Sequence, residues 1–137
     1  MGCVLKAYGA DFQVDRFLEA SELTPCVVRR RGEPFFTGGN PQGKVSDVSR
    51  VHIVVSEADF DNLPDQIQDT ISFLEQHRGE LARLCKFPDV EGVFLDFGID
   101  RRDVAVQYDD FPAELLYLAG SLGISIRVSS LAVELEP

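Results

Sequence analysis

Arg29, Arg30 and Arg31 stand in a row and run into Gly32-Glu33-Pro34-Phe35-Phe36. Guanidiniums grip carboxylates and phosphates through paired N–H groups, and arginines beside aromatic rings are common anchors of binding surfaces. Arg29, Arg30, Arg31, Phe35 and Phe36 therefore form a candidate anion or partner site. The competing reading is a strand end whose arginines neutralise the protein's own acids while both Phe enter the core. Facing this turn is an acidic body. Residues 1–50 carry seven basic and six acidic side chains, a net of +1, and residues 51–137 carry six and seventeen, a net of −11. A surface so charged suits a basic protein partner. Asp59, Asp61, Asp100 and Asp103 are the acids chosen to meet it.

Other residue types with chemical potential lack their context. Gly38-Gly39-Asn40-Pro41-Gln42-Gly43-Lys44 has the skeleton of a phosphate loop. Val45 follows where Ser or Thr would hold Mg²⁺, Pro41 lacks an N–H, and a strand rather than a helix comes next. Asp59-Phe60-Asp61 invites a calcium reading, but the glycine and distal glutamate of a calcium loop are missing. Acids there are stabilised by a helix N-terminus without a metal. Asp96 lies within an apolar run, which is costly unless it is paired, and Arg101 or Arg102 is its expected partner. His52 and His77 are too few and too far apart for a metal site. No Cys–His nucleophile arrangement and no GxSxG elbow appears. The sequence thus argues against an enzyme and implies no cofactor and no metal.

These residues have to be positioned by strands and helices in alternation. Gly2–Tyr8 reads as a strand, with Lys6 interrupting its apolar run. A short helix over 14–20 follows, with Asp11 as its cap and Phe17 and Leu18 turned inward. Cys26–Val28 is a short strand. Gly32 to Ser46, rich in Gly and Pro, reads as a mobile loop over 32–46. Val51–Val55 is a β-branched strand. Asn62 and Asp65 form a capping box for a long helix that Pro88 stops. Gly92–Ile99 is apolar on both faces apart from Asp96, as a central strand is. Val104–Tyr108 reads as a shorter strand. A helix from Pro112 ends at Gly123, and Ile124–Val128 returns as a strand. The order predicts an α+β fold: a single mixed, mostly antiparallel sheet with about three helices packed on one face, a two-layer sandwich.

At 137 residues the chain fits a single domain, 1–137. A domain of that size buries roughly two-thirds of its unfolded surface and needs no staple. The pI near 4.5 argues against nucleic acid and against anionic membranes. Cys3, Cys26 and Cys85 form no CxxC pair and read as reduced, buried thiols of a cytoplasmic protein. No signal peptide or membrane-length apolar run is present. Met1-Gly2-Cys3 is read as the start of a strand, since Lys6 stands where acylation favours Ser or Thr.

Leu23-Thr24-Pro25 leading to Arg31-Gly32-Glu33, then Val55-Ser56-Glu57 and the long Gln66–Leu84 helix, resemble a bacterial family of small uncharacterised α+β domains (domain of unknown function 4279). The tryptophan that follows the loop in that pattern is absent. The resemblance implies a bacterial cytoplasmic protein with no established activity. It implies no catalytic residues, and it makes an immunity-like, protein-binding role the leading expectation. Two alternatives stand beside it. One is a small anionic-ligand or enzymatic domain using the Arg29–Arg31 turn. The other is a salt-dependent homo-oligomer, such as a homodimer, in which the basic turn of one copy meets the acidic face of another.

Overall fold

Side chains alternate along Cys3–Gly9, strand β1, and that alternation sets the architecture. Cys3, Leu5 and Ala7 are fully buried, whereas Val4, Lys6 and Tyr8 point to the other side of the sheet. The computed structural model describes residues 1–34 and 43–132. β1 is followed by α1 (Val14–Leu18), β2 (Val27–Arg29), β3 (Ser49–Ser56), α2 (Leu63–Gln76), α3 (Arg78–Cys85), β4 (Gly92–Asp100), α4 (Ala113–Leu122) and β5 (Ser125–Leu131). The strands form one sheet in the order β2-β3-β1-β4-β5. Three pairings are antiparallel, and β4 with β5 is parallel. The α+β sandwich expected from the sequence is present, with four helices among the described residues instead of about three.

The helices share one core with one face of the sheet. Leu5, Val51, Ile53, Leu95 and Phe97 meet Phe17 of α1, Leu74 of α2, Leu81 of α3 and Leu115 of α4. Full burial of a Leu or Phe contributes about 1.5–3 kcal/mol, so this layer holds the fold together. No described helix covers the opposite face of the sheet, where half-buried polar and aromatic side chains stand.

Local signals account for most element ends. The Asn62 side chain accepts from the Asp65 N–H and opens α2, and Gly123, at φ 85°, closes α4 in the left-handed region. The long helix is broken at His77 (φ −110°, ψ 22°), which separates α2 from α3. Its ring tilts against Phe73 at 4.7 Å and its Nδ1 lies 3.1 Å from Glu22, which leaves it half-buried. Asp11 does not cap α1, whose cap residue is Gln13. Val104–Tyr108 is no strand but part of an irregular loop.

Candidate functional site

Strand alternation divides the arginine run. Arg29 pairs in register with Arg50 of β3 and lies on the helix-free face. Arg30, past the strand end, turns to the protein's own acids. Its Nε donates to Asp15 Oδ2 at 2.7 Å, its Nη2 to Asp15 Oδ1 at 2.6 Å and its Nη1 to Glu33 at 3.0 Å. That bidentate bond holds the Asp15 carboxyl below the usual carboxylate range. Arg31 donates to Asp11 at 3.1 Å. Arg30 and Arg31 thus pair with acids of the molecule itself and share a shallow surface cleft with them. The base of the following loop is tied down. Gly32 N–H donates to Ser46 O, Ser46 N–H to Glu33 O, and Pro34 bridges Val45. Phe35, Phe36 and the Gly38–Pro41 stretch lie outside the described residues.

The chosen acids fall at one end of the molecule. Asp59 and Asp61 are exposed in the turn before α2, and Asp103 is exposed in the loop between β4 and α4. Asp100, half-buried at the end of β4, acts through its backbone: its N–H donates to Phe60 O and its carbonyl accepts from Gln107 Nε2. Gln107 braces the loop. It also accepts from the Arg102 N–H at 2.8 Å and donates to Asp109 at 2.9 Å. The Arg102 guanidinium closes the other side on Tyr108 O and Asp109 Oδ1. With its polar groups turned inward, the loop holds Val104, Val106 and Tyr108 outward at 56%, 60% and 77% exposure. Between Tyr108 and the Leu63-Pro64-Ile67 side of α2 runs a groove of about 350 Å³, rimmed by Asp61, Asp110 and the paired Asp109 and Arg102. Sequence reasoning missed Gln107 and Tyr108, because Val-x-Val-x-Tyr has the period of a strand.

The helix-free face holds the remaining polar chemistry. Lys6 Nζ donates to Asp96 Oδ2 at 2.9 Å, and Ser129 Oγ donates to Asp96 Oδ1 at 2.6 Å. Lys6 and Ser129, rather than Arg101 or Arg102, are the partners of Asp96. Burial pushes the Asp96 carboxyl up, but these hydrogen bonds and the charges of Lys6 and Arg127 outweigh it, leaving the pKa below its ordinary value. His52 is pushed down to about 4, by burial first, then by Lys6 and Arg50, with Asp96 partly opposing and Arg29 adding to the shift. The sequence did carry a signal here. Lys6, His52 and Asp96 each interrupt an apolar strand at a position facing away from the core.

The thiols show no sign of activation. Burial raises Cys3 to about 12 and Cys85 to about 11, which keeps both protonated and weakly nucleophilic. Cys26 is exposed, unlike the buried thiol expected of it. Among the described residues no group of His, Cys, Asp and Glu is placed to hold a metal ion, and no helix is long and apolar enough to cross a membrane. No family model, curated protein or solved structure matches the chain.

Proposed function

We propose that this protein is a non-catalytic interaction domain that takes a basic partner on the acid-rimmed groove between α2 and the β4–α4 loop. One observation carries the reading: a loop braced by Gln107 and Arg102 keeps Val104, Val106 and Tyr108 in solvent, and Tyr108 lines the groove with Asp61, Asp109 and Asp110. Exposing large apolar side chains is unfavourable unless something covers them, and apolar area within a polar rim is typical of interaction surfaces. The surrounding carboxylates select a cationic partner and speed its encounter at low salt. Asp59 and Asp103 lie outside the groove and act in steering. From the resemblance to the uncharacterised bacterial family we infer a cytoplasmic, immunity-type setting, a reading that three unbridged cysteines support.

The test is a titration of isotope-labelled protein with an amphipathic Lys/Leu helical peptide, followed by amide shifts. Shifts should concentrate at residues 61–67 and 101–110 and weaken as salt rises. Tyr108→Ser should lower the affinity by about tenfold, in the range of an aromatic interface anchor. Shifts spread evenly over every acidic surface, or an equal response to a Glu/Leu peptide, would overturn the reading.

A further inference from the structure

The register of the sheet arranges the helix-free face in rows. One row runs Arg29, Arg50, Tyr8 and Gly92 across β2, β3, β1 and β4. The next runs Val27, His52, Lys6, Phe94 and Ser125 across all five strands. A third runs Val54, Val4, Asp96 and Arg127. Four cationic side chains, Lys6, Arg29, Arg50 and Arg127, therefore share a face with Asp96, and Asp47 lines the same depression, in a chain whose net charge is −10. With Arg30 and Arg31 paired elsewhere, this face is where positive charge gathers.

The face is also concave. Lys6, Tyr8, Arg50, His52, Phe94 and Arg127 line a depression of about 360 Å³, with Asp47 and Val48 at its rim. Its aromatic side is built with care for space. A Cβ on Gly92 would come within 2.7 Å of the Tyr8 ring, so glycine lets that ring lie down on the sheet. Tyr8 meets Phe94 edge-on at 6.3 Å, and the Arg127 guanidinium covers Phe94 at 4.0 Å from the ring centre. Flat groups thus lie beside cations, the combination that binds a ring through one part of a ligand and a phosphate through another.

We propose that this concavity binds a compact phosphate ester carrying a flat aromatic ring, of mononucleotide size, with the phosphate on Arg50 and Arg127 and the ring against Tyr8 and Phe94. The volume falls at the lower end of small-molecule sites, roughly 300–1,000 Å³. A long nucleic-acid strand is disfavoured, since it would leave the basic face and run onto the acidic body. Burial first, and then the positive field of Lys6 and Arg50, keeps the proton off His52, and that field also draws an anion in. His52 faces Lys6 of β1, Arg50 of its own strand, Asp96 of β4 and Arg29 of β2. A bound phosphate adds negative charge to that set and favours the imidazolium, so binding takes up a proton at mildly acidic pH. This inference concerns the sheet face opposite the helices and stands independently of the groove at α2.

Calorimetric titration of the full chain with adenosine monophosphate at low salt tests it, with ribose 5-phosphate, adenosine and a short oligo(dA) as comparisons. Adenosine monophosphate should bind more tightly than either fragment, and the affinity should fall as salt rises. Arg50→Gln and Arg127→Gln should each weaken it by about tenfold, the scale of one charge-assisted hydrogen bond. Arg78→Gln, the same charge change on exposed α3, should leave it unchanged. At about pH 5.5 the wild type should take up more protons on binding than His52→Gln does, read by calorimetry in buffers of different ionisation enthalpy, since the phosphate's own titration near pH ~6 is common to both. Amide shifts in the wild type should map to β1, β3 and β4, which guards against variants that fail to fold. The proposal is overturned by no binding at millimolar nucleotide, by tighter binding of oligo(dA), by shifts confined to the helices, or by a dimer that covers this face and excludes the nucleotide.

Discussion

His52 joins stability to pH through its position on the sheet. Its folded pKa of about 4 lies below the ordinary 6.5. Between those values the unfolded chain binds a proton that the folded chain refuses, so stability rises with pH there. The contribution is complete above about pH 6.5 and is lost as pH falls through that window. At about 1.4 kcal/mol per pKa unit, reduced for partial exposure, the loss is about 1–3 kcal/mol. Urea midpoints at pH 6.5 and 4.5 should therefore fall less in His52→Gln than in the wild type, and equal falls would remove His52 from the account. Asp96 works in the opposite sense to its cationic neighbours. Asp96→Asn should cost about 1–3 kcal/mol, because it leaves Lys6 partly buried without its countercharge. The same change makes the face more positive, so nucleotide affinity should increase while stability decreases. A residue that mattered only for folding would lower both.

At the scale of elements, a cap and a loop separate stability from recognition. Asn62→Ala removes the acceptor for the Asp65 N–H and should destabilise by about 1 kcal/mol in denaturant melts. Gly123→Ala forces a Cβ into the left-handed region and should cost about 1–2 kcal/mol. Val106→Ser touches neither cap nor core and should shift stability by less than about 0.5 kcal/mol while weakening the basic peptide. These caps were readable from sequence because each depends on one residue and its neighbours in the chain. The sheet, the central place of β4 and the core face of β1 were readable from period and β-branching. The β4–α4 loop was not, since Val104, Val106 and Tyr108 alternate like a strand and only the reach of Gln107 to Asp100 and Asp109 reveals a loop. Nor was the destination of the arginines. Whether Arg29 points away from Arg30 depends on where β2 ends, and the partners Asp11 and Asp15 sit in the β1–α1 turn and on α1. The basic face itself is assembled from five strands, each contributing two or three of its residues, so no window of sequence contains it.

At the scale of the whole molecule, charge is segregated while its sum stays strongly negative. The basic sheet face and the acid-rimmed groove are complementary, which invites a head-to-tail contact between copies. Such a contact joins two different surfaces and does not close into a two-fold dimer, so it would grow with concentration. Against it stands the repulsion of two bodies each carrying −10. At about 10 mM salt the screening length is about 30 Å, long enough for whole-molecule repulsion to act, whereas at about 150 mM it is about 8 Å and only local complementarity survives. Repulsion and attraction therefore respond to salt with opposite signs. Light scattering on a sizing column should give a monomer at low salt, because the net charge dominates there. If association appears as salt is raised to about 150 mM, the local contact has won. Arg127→Gln should then abolish it, and the sheet face would be serving a second copy of the chain in place of a phosphate ester.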